Sequence, residues 1–400
     1  MVFILRNESD IQRFALDWFS YDEDEDIVMK NVNRWIVQAA KRNVEEMNLQ
    51  IRQHHPAAFE IPHQFLNCKS LTKLEMQVNF GERCTDVILP KSMDLPRLKV
   101  LWIHGVSIPN EELSKRLFSS CPVLEKLELY HCDIPNLTIS SLSLKNFVYK
   151  RFLSSTANVI KLTAPNLKDF WCKSSETQHY SLENCSLLSS VIFDLGLKER
   201  VLGDNGEANC NFPSEEEKVY AKHMMEFLRA VYMVKGMELS SGFLEVLSQA
   251  PELLDCQPPC LCNLQYLSLD TRWSTTGCLR AITYLLKISP HISFVYLRSK
   301  KSNLVDIGDD WEAGLSSPGM LSHLKYVNFD EVEGCDAELK LLSFLLKHAT
   351  VLRRIYLSFR ASIGSLDGVR QMKLFRDKVR ALPTASSSVK IKCRFNLRSR

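Results

Sequence analysis

The sequence shows no excess of one charge, no apolar run long enough to cross a bilayer and no catalytic or nucleotide-binding signature. Each absence closes off a class of function. Fifty basic side chains stand against 47 acidic ones over 400 residues, a net charge of +3, so nothing marks a dedicated nucleic-acid or membrane-surface binder. No window reaches the ~18 apolar residues of a spanning helix. Met1 to Leu5 is too short an apolar start for a secretory leader. The expectation is an intracellular protein, cytoplasmic or nuclear. The thirteen cysteines are odd in number and scattered, which predicts reduced, buried thiols rather than a disulfide framework. In that compartment the sequons at Asn7, Asn136 and Asn184 carry no glycan.

With 45% hydrophobic and 24% charged residues, the chain holds ample material for a packed core and is neither disordered nor fibrous. Its dominant feature is a recurring apolar-x-x-apolar-x-apolar unit. Copies are Leu71/Leu74/Met76, Leu98/Leu101/Ile103, Leu124/Leu127/Leu129, Leu167/Phe170/Cys172, Leu188/Val191/Phe193, Leu264/Leu267/Leu269, Ile292/Val295/Leu297, Leu324/Val327/Phe329 and Leu352/Ile355/Leu357, with weaker ones from Val44, Leu144 and Val234. Starts at 44, 71, 98 and 124 step by 27, 27 and 26, and those at 264, 292, 324 and 352 by 28, 32 and 28. This is the period of a leucine-rich repeat, in which each strand points alternate apolar residues into a shared core and returns to begin the next alongside. One unit cannot bury its own face, so the copies must stack. The expected fold is therefore an α/β solenoid, curved, with a mostly parallel sheet.

Cys132 follows its strand at the position where a buried side chain satisfies the turn, and Asn79 holds that place in an earlier copy. Val106, Gly196 and Arg272 occupy it elsewhere, which predicts irregular repeats. Between strands, Glu111 to Phe118, Ser240 to Ser248, Thr276 to Ile288 and Glu217 to Met233 read as helices. Gly203 to Glu217 and Asp22 to Asp26 read as exposed polar loops.

No residue set assembles into a catalytic or metal site. Cys256, Cys260 and Cys262 lack the paired spacing of a zinc site, even with Cys278 or His291 as a distant fourth ligand. His54-His55 has no matching ligand pattern, and Asp306, Asp309, Asp310 and Glu312 lack the register of a calcium loop. No enzyme activity, cofactor or metal is expected.

The stretch Phe14-x-x-x-Trp18, Val32-Asn33-Arg34-Trp35-Ile36 and Ala39 to Glu46 resembles the segment that opens the repeats of plant F-box/FBD/LRR-repeat proteins. Cys121-Pro122-Val123-Leu124-Glu125-Lys126-Leu127 is similar to their most recognisable repeat. Leu321 to Phe359, with Phe344 to Ala349 before Val351 to Arg354, then Leu382-Pro383 and a closing strand at Val389 to Cys393, resembles their FBD domain. The resemblance implies an organisation of 1–43 leading into the repeats, 44–314 as irregular repeats with a polar loop near 203–217, 315–395 as an FBD cap and 396–400 as a tail. It also implies the substrate-recognition part of a Skp1-cullin-F-box type ubiquitin ligase. The Leu-Pro-led F-box that would dock a Skp1-type adaptor is not seen, since Leu89-Pro90, Leu95-Pro96 and Leu382-Pro383 fall inside other elements. A stand-alone repeat scaffold or decoy without a ligase role is the alternative. Neither membrane nor nucleic acid is an expected partner.

If the apolar positions point inward, the residue between the last two of each copy points out onto the concave face. That arithmetic gives a central column of Glu75, Trp102, Glu128, Trp171, Ser268, Tyr296, Asn328 and Tyr356. Flanking positions include Lys73, Lys126, Tyr266, Phe294, Tyr326 and Arg354 on one side and Gln77, His104, Tyr130, Lys173, Asp270, Arg298 and Asp330 on the other. From these, Trp102, Trp171, Tyr296, Tyr356, Glu75, Glu128, Tyr130, Tyr266, Arg298 and Arg354 are the expected contacts to a target protein, because Trp, Tyr and Arg most often dominate interface energetics. Taken singly, each aromatic reads rather as a strand-face residue packed under a neighbouring loop or the FBD domain; their recurrence in one register is what favours binding. Arg34, Arg42, Arg353, Arg354, Lys390, Lys392, Arg394, Arg398 and Arg400 read as surface charges, the C-terminal set forming a weak electrostatic patch.

Overall fold

Every copy of the repeat forms a parallel strand. In the computed structural model, which describes residues 10–19, 25–52, 58–78, 84–151, 159–174, 179–195, 214–248, 260–272, 276–300, 319–360 and 366–395, the chain divides into two compact units, Met1–Leu188 and Ser189–Arg400. The fold class is the expected one, α/β with a mostly parallel sheet. The main sheet of the first unit takes the strands Arg13–Phe19, Glu46–Arg52, Lys73–Val78, Val100–His104, Lys126–Tyr130, Asn146–Arg151 and Asp169–Ser174 in chain order. In the second unit the order is Ser190–Leu195, Gly236–Leu239, Tyr266–Arg272, Phe294–Lys300, Tyr326–Val332, Arg354–Phe359 and Lys390–Phe395.

The repeat pattern explains how each strand begins. The first apolar residue of a copy sits just before the strand and closes a tight turn. Leu71 N–H donates to the Cys68 carbonyl, Leu98 to Leu95, Leu124 to Cys121, Leu264 to Leu261 and Leu324 to Leu321, at 3.1–3.4 Å. The next residue hands its N–H to the preceding repeat, as Lys99 does to Thr72 and Lys325 to Ser293, at 2.8 and 2.9 Å. Backbone polarity is thus satisfied from copy to copy while the side chains alternate. Leu74, Met76 and Val78 are buried; Lys73, Glu75 and Gln77 between them are not.

The two units return from strand to strand differently. In the first, the returns form two three-stranded parallel sheets, Phe59–Glu60 with Thr85–Ile88 and Val106–Ser107, and Thr138–Ser140 with Val159–Thr163 and His179–Glu183. Two helices accompany them. Glu25–Lys41 precedes the repeats, and Glu111–Ser119 starts where the Asn110 side chain accepts the Leu113 N–H at 3.0 Å. In the second unit the returns are the helices Ser214–Ala230, Ser241–Ser248, Thr276–Lys287, Asp336–His348 and Leu366–Ala381. Phe193, Phe227 and Phe243 knit the first of these to the sheet, with ring centroids 4.7 and 5.4 Å from Phe193.

Buried polar groups differ as well. Arg151, its side chain 4% exposed, pairs with Asp133 at 2.9 Å in the first unit, and the Cys172 thiol meets the Tyr180 hydroxyl at 3.1 Å. In the second, the buried Glu338 carboxylate accepts the backbone N–H groups of Glu333, Gly334 and Cys335 at 3.1, 2.7 and 3.1 Å. It thereby caps the helix Asp336–His348, and Gly334, at φ +82°, makes the turn.

The expected helices stand, with ends shifted by up to three residues. Two expectations need correction. Cys260 and Cys262 are joined by a disulfide rather than reduced. Glu25 and Asp26, expected in a loop, open a helix. Asn7, His54-His55, Asn79, Gly196, Cys256, the acidic group at 306–312, Arg398, Arg400 and most of the loops at 22–26 and 203–217 lie outside the described residues.

Candidate functional site

Strand register brings the expected side chains into rows. In the first unit, Asn48, Glu75, Trp102, Glu128, Val148 and Trp171 are successive neighbours across six strands. In the second, Ile192, Glu238, Ser268, Tyr296, Asn328, Tyr356 and Lys392 form the equivalent row. Both lie on the sheet face turned away from the alternating buried residues. Asn48, Val148, Ile192, Glu238 and Lys392 were not in the expected column, although the same arithmetic gives them, Ile192 from the clear copy Leu188/Val191/Phe193 and the others from the weak copies and the closing strand.

The rings of the first unit's row are linked through contacts. Trp102 stacks on His104 at 5.8 Å and lies 5.6 Å from Tyr130. Lys150 extends the line, with Nζ 5.2 Å from the Tyr130 ring and 3.2 Å from that of Trp171. This cation–π contact fixes the Trp171 ring against Lys150. Several charges on this face come in pairs. Glu75 meets Lys73 at 2.7 Å and accepts from Asn48 at 2.8 Å, Glu128 meets Lys126 at 2.8 Å, and Arg13 meets Glu46 at 2.8 Å. Burial raises the Tyr130 pKa, and the charge and hydrogen bond of Glu128 add to it. Burial lowers that of Lys150, helped by Lys173.

The second unit has a different surface. Tyr266 and Phe294 stack at 5.4 Å, and Tyr326 lies 6.4 Å from Phe294, so a flanking row is aromatic over three strands. The Tyr296 hydroxyl donates to Asp330 at 2.8 Å and accepts from Arg298 at 3.4 Å; Arg298 also stands 3.8 Å from Asp270. Burial and then Asp330 raise the Tyr296 pKa. Arg354 donates to the Tyr356 hydroxyl at 3.3 Å, while Arg394 and Lys392 lie 5.6 and 6.0 Å from its ring. The Arg354 hydrogen bond, followed by the surrounding positive charges, pulls the Tyr356 phenol below its ordinary range.

All ten expected contact residues therefore fall on an outward sheet face: Glu75, Trp102, Glu128, Tyr130 and Trp171 in the first unit, Tyr266, Tyr296, Arg298, Arg354 and Tyr356 in the second. Cys132 is fully buried as expected, its thiol reaching the Tyr130 and Ile103 carbonyls at 3.3 and 3.6 Å, and burial pushes its pKa up to about 12. Such a thiol fills a turn and is no nucleophile.

A family model described as the LRR repeats of FBD-associated F-box protein At5g56370 matches residues 32–266, more than half of the chain, and an FBD model matches 318–357. The chain belongs to this leucine-rich-repeat family. Its relatives include three Arabidopsis thaliana proteins. FBD-associated F-box protein At1g66310 is 27% identical over 86% of this chain and 73% of its own length. F-box/FBD/LRR-repeat protein At1g78750 is 25% identical over 91% of this chain and 76% of its own. F-box/LRR-repeat protein At3g59200 is 25% identical over 74% of this chain, which spans only 55% of that protein; in another F-box/LRR relative the span is 64%. No helix among the described residues is long and apolar enough to cross a membrane.

Proposed function

We propose that this chain is the non-catalytic, target-recognition part of an F-box-type ubiquitin ligase receptor, holding a protein target on the outward sheet faces that carry Trp102 and Trp171 in one unit and Tyr296 and Tyr356 in the other. The observation that carries the reading is the register. Large aromatic and charged side chains recur at one position of consecutive repeats, where the inward pattern places no demand on them. Rings held by neighbours, such as Trp102 against His104 and Trp171 under Lys150, are ordered before a partner arrives, which reduces the entropy lost on binding. A Skp1-type adaptor is a partner only if an F-box accompanies this chain, as the names of the relatives suggest for those proteins. The organisation into repeats over 44–314 and an FBD cap over 315–395 belongs to the same proposal.

The test is a two-hybrid selection for targets of the native chain, followed by titration of any target with purified variants. Trp102→Ala with Trp171→Ala should weaken binding by more than about tenfold, since truncating a central interface aromatic commonly costs about 2 kcal/mol. Circular dichroism should be unchanged. Glu111→Ala with Glu112→Ala, on the return helix, should leave the affinity intact. Binding lost through the helix pair and kept by the tryptophan pair sinks the proposal.

A further inference from the structure

We propose that the outward face of the second unit takes an extended, acidic segment of a protein partner, its carboxylates on Arg354, Lys390, Lys392 and Arg394 around Tyr356 and its apolar side chains on Tyr266, Phe294 and Tyr326. The inference rests on the recognition reading above and adds the chemistry of what is recognised.

Charge on this face is segregated. Its carboxylates, Asp194, Glu238, Asp270 and Asp330, stand on the earlier strands, and Arg298 among them lies 3.8 and 3.9 Å from Asp270 and Asp330. The last two strands present only cations. Arg354 pairs with Lys390 across the ladder, Tyr356 with Lys392 and Ser358 with Arg394. Arg354, Lys390, Lys392 and Arg394 are all exposed, and no carboxylate among the described residues forms an ion pair with them. The sequence accentuates the asymmetry. Residues 351–400 hold thirteen basic and two acidic side chains, a balance of +11 in a chain whose net charge is +3. The depressed Tyr356 phenol registers the same positive potential.

Geometry favours a peptide. From Tyr266 to Lys390 the flanking row crosses four strand spacings of about 4.8 Å, roughly 19 Å, which about six residues of extended chain span. A nucleic acid fits less well. Single strands bind through successive free rings, whereas Tyr266 and Phe294 already stack on each other and Tyr356 is flanked by Arg394 and Lys392. A uniform polyanion would also have to cross Glu238, Asp270 and Asp330. A peptide can be acidic at one end only.

The experiment titrates the full chain with fluorescein-labelled peptides of about ten residues, Phe- and Leu-bearing in one half and Glu-rich in the other, against a version with Gln for every Glu and against oligothymidylate. The Glu peptide should bind about tenfold more tightly than the Gln peptide, an advantage that shrinks from about 50 to about 500 mM salt. Lys392→Glu with Arg394→Glu should abolish the advantage. Arg370→Glu with Lys373→Glu, equally exposed but on the return helix, should preserve it. Equal affinity for both peptides, indifference to the strand pair, or tighter binding of oligothymidylate overturns the inference. The recognition reading is tested separately: a target lost with Trp102 and Trp171 but indifferent to the strand pair defeats this inference and leaves that reading intact. Acidic-peptide binding without any target does the reverse.

Discussion

The two units use one strand pattern and two ways home. Between Leu124 and Leu188 the copies start at 124, 144, 167 and 188, stepping by 20, 23 and 21 residues, and the returns there are short strands. From Leu264 onward the steps are 28, 32 and 28, and returns are helices of 12 to 16 residues where they are described. A strand rises about 3.3 Å per residue and a helix about 1.5 Å, so a short step crosses the back of the repeat only in extended form. The outward faces diverge in parallel. The first sets acids beside bases on single strands, as Glu75 beside Lys73 and Glu128 beside Lys126; the second sorts them to opposite ends. What the inward pattern fixes is common to both, and what it leaves free has drifted apart.

The largest expected effect tests the returns. Phe227, fully buried against Phe193 and Phe243, holds the helix Ser214–Ala230 to the sheet. Phe227→Ala should cost about 4 kcal/mol in urea unfolding, and Leu162→Ala, in the strand return Val159–Thr163, about 3 kcal/mol. The signatures should differ, because only the first removes packing from a helix and lowers ellipticity at helical wavelengths before the main transition. Identical traces would mean that the kind of return has no influence on local stability.

The buried polar groups sharpen the contrast at smaller magnitude. Asp133→Ala leaves Arg151 in a buried site without its ion pair, and Glu338→Ala strips three backbone N–H groups of their acceptor; each should cost about 2 kcal/mol. The second step separates them. Adding Arg151→Met to Asp133→Ala should recover most of the loss, since a buried ion pair replaced by apolar side chains is often near neutral. No apolar residue at 338 can do so, because the N–H groups of Glu333, Gly334 and Cys335 remain. Recovery by Glu338→Leu would refute this account of the cap.

Much of this architecture is legible in the sequence because burial demands it. The triplet Leu124/Leu127/Leu129 announces its strand, and the residue between its last two members, Glu128, is placed outward by the pleat alone. The weak copies were harder to read. In the one from Leu144, Tyr149 takes the last inward position and Val148 the outward one, reversing the usual polarity, yet both are buried. The ring-to-cation line through Lys150 was not legible at all. Lys150 stands directly opposite Tyr130 but reaches Trp171 on a diagonal, and that register is fixed by return lengths which vary from copy to copy. The disulfide escaped for another reason: spacing cannot say whether two nearby thiols face each other.

The smallest effect concerns His104, and it distinguishes the faces by pH. Its imidazole stacks on Trp102 and lies 5.1 Å from His131. Burial, and then the His131 charge, lower its pKa from the ordinary 6.5. A lowered value in the folded state means that its contribution to stability is present above 6.5 and is lost as the pH falls through the folded value. The group is partly exposed, so the loss should stay below about 1 kcal/mol. Proton NMR of the native chain should place the His104 midpoint below 6.5, and His131→Gln should raise it only part of the way, because burial is the larger cause. The aromatic run Tyr266, Phe294 and Tyr326 contains no histidine, so mild acid should loosen the ring contacts of the first unit and leave that run unchanged. A His104 midpoint at or above the ordinary value, or complete restoration by His131→Gln, would show that burial does not govern this ring.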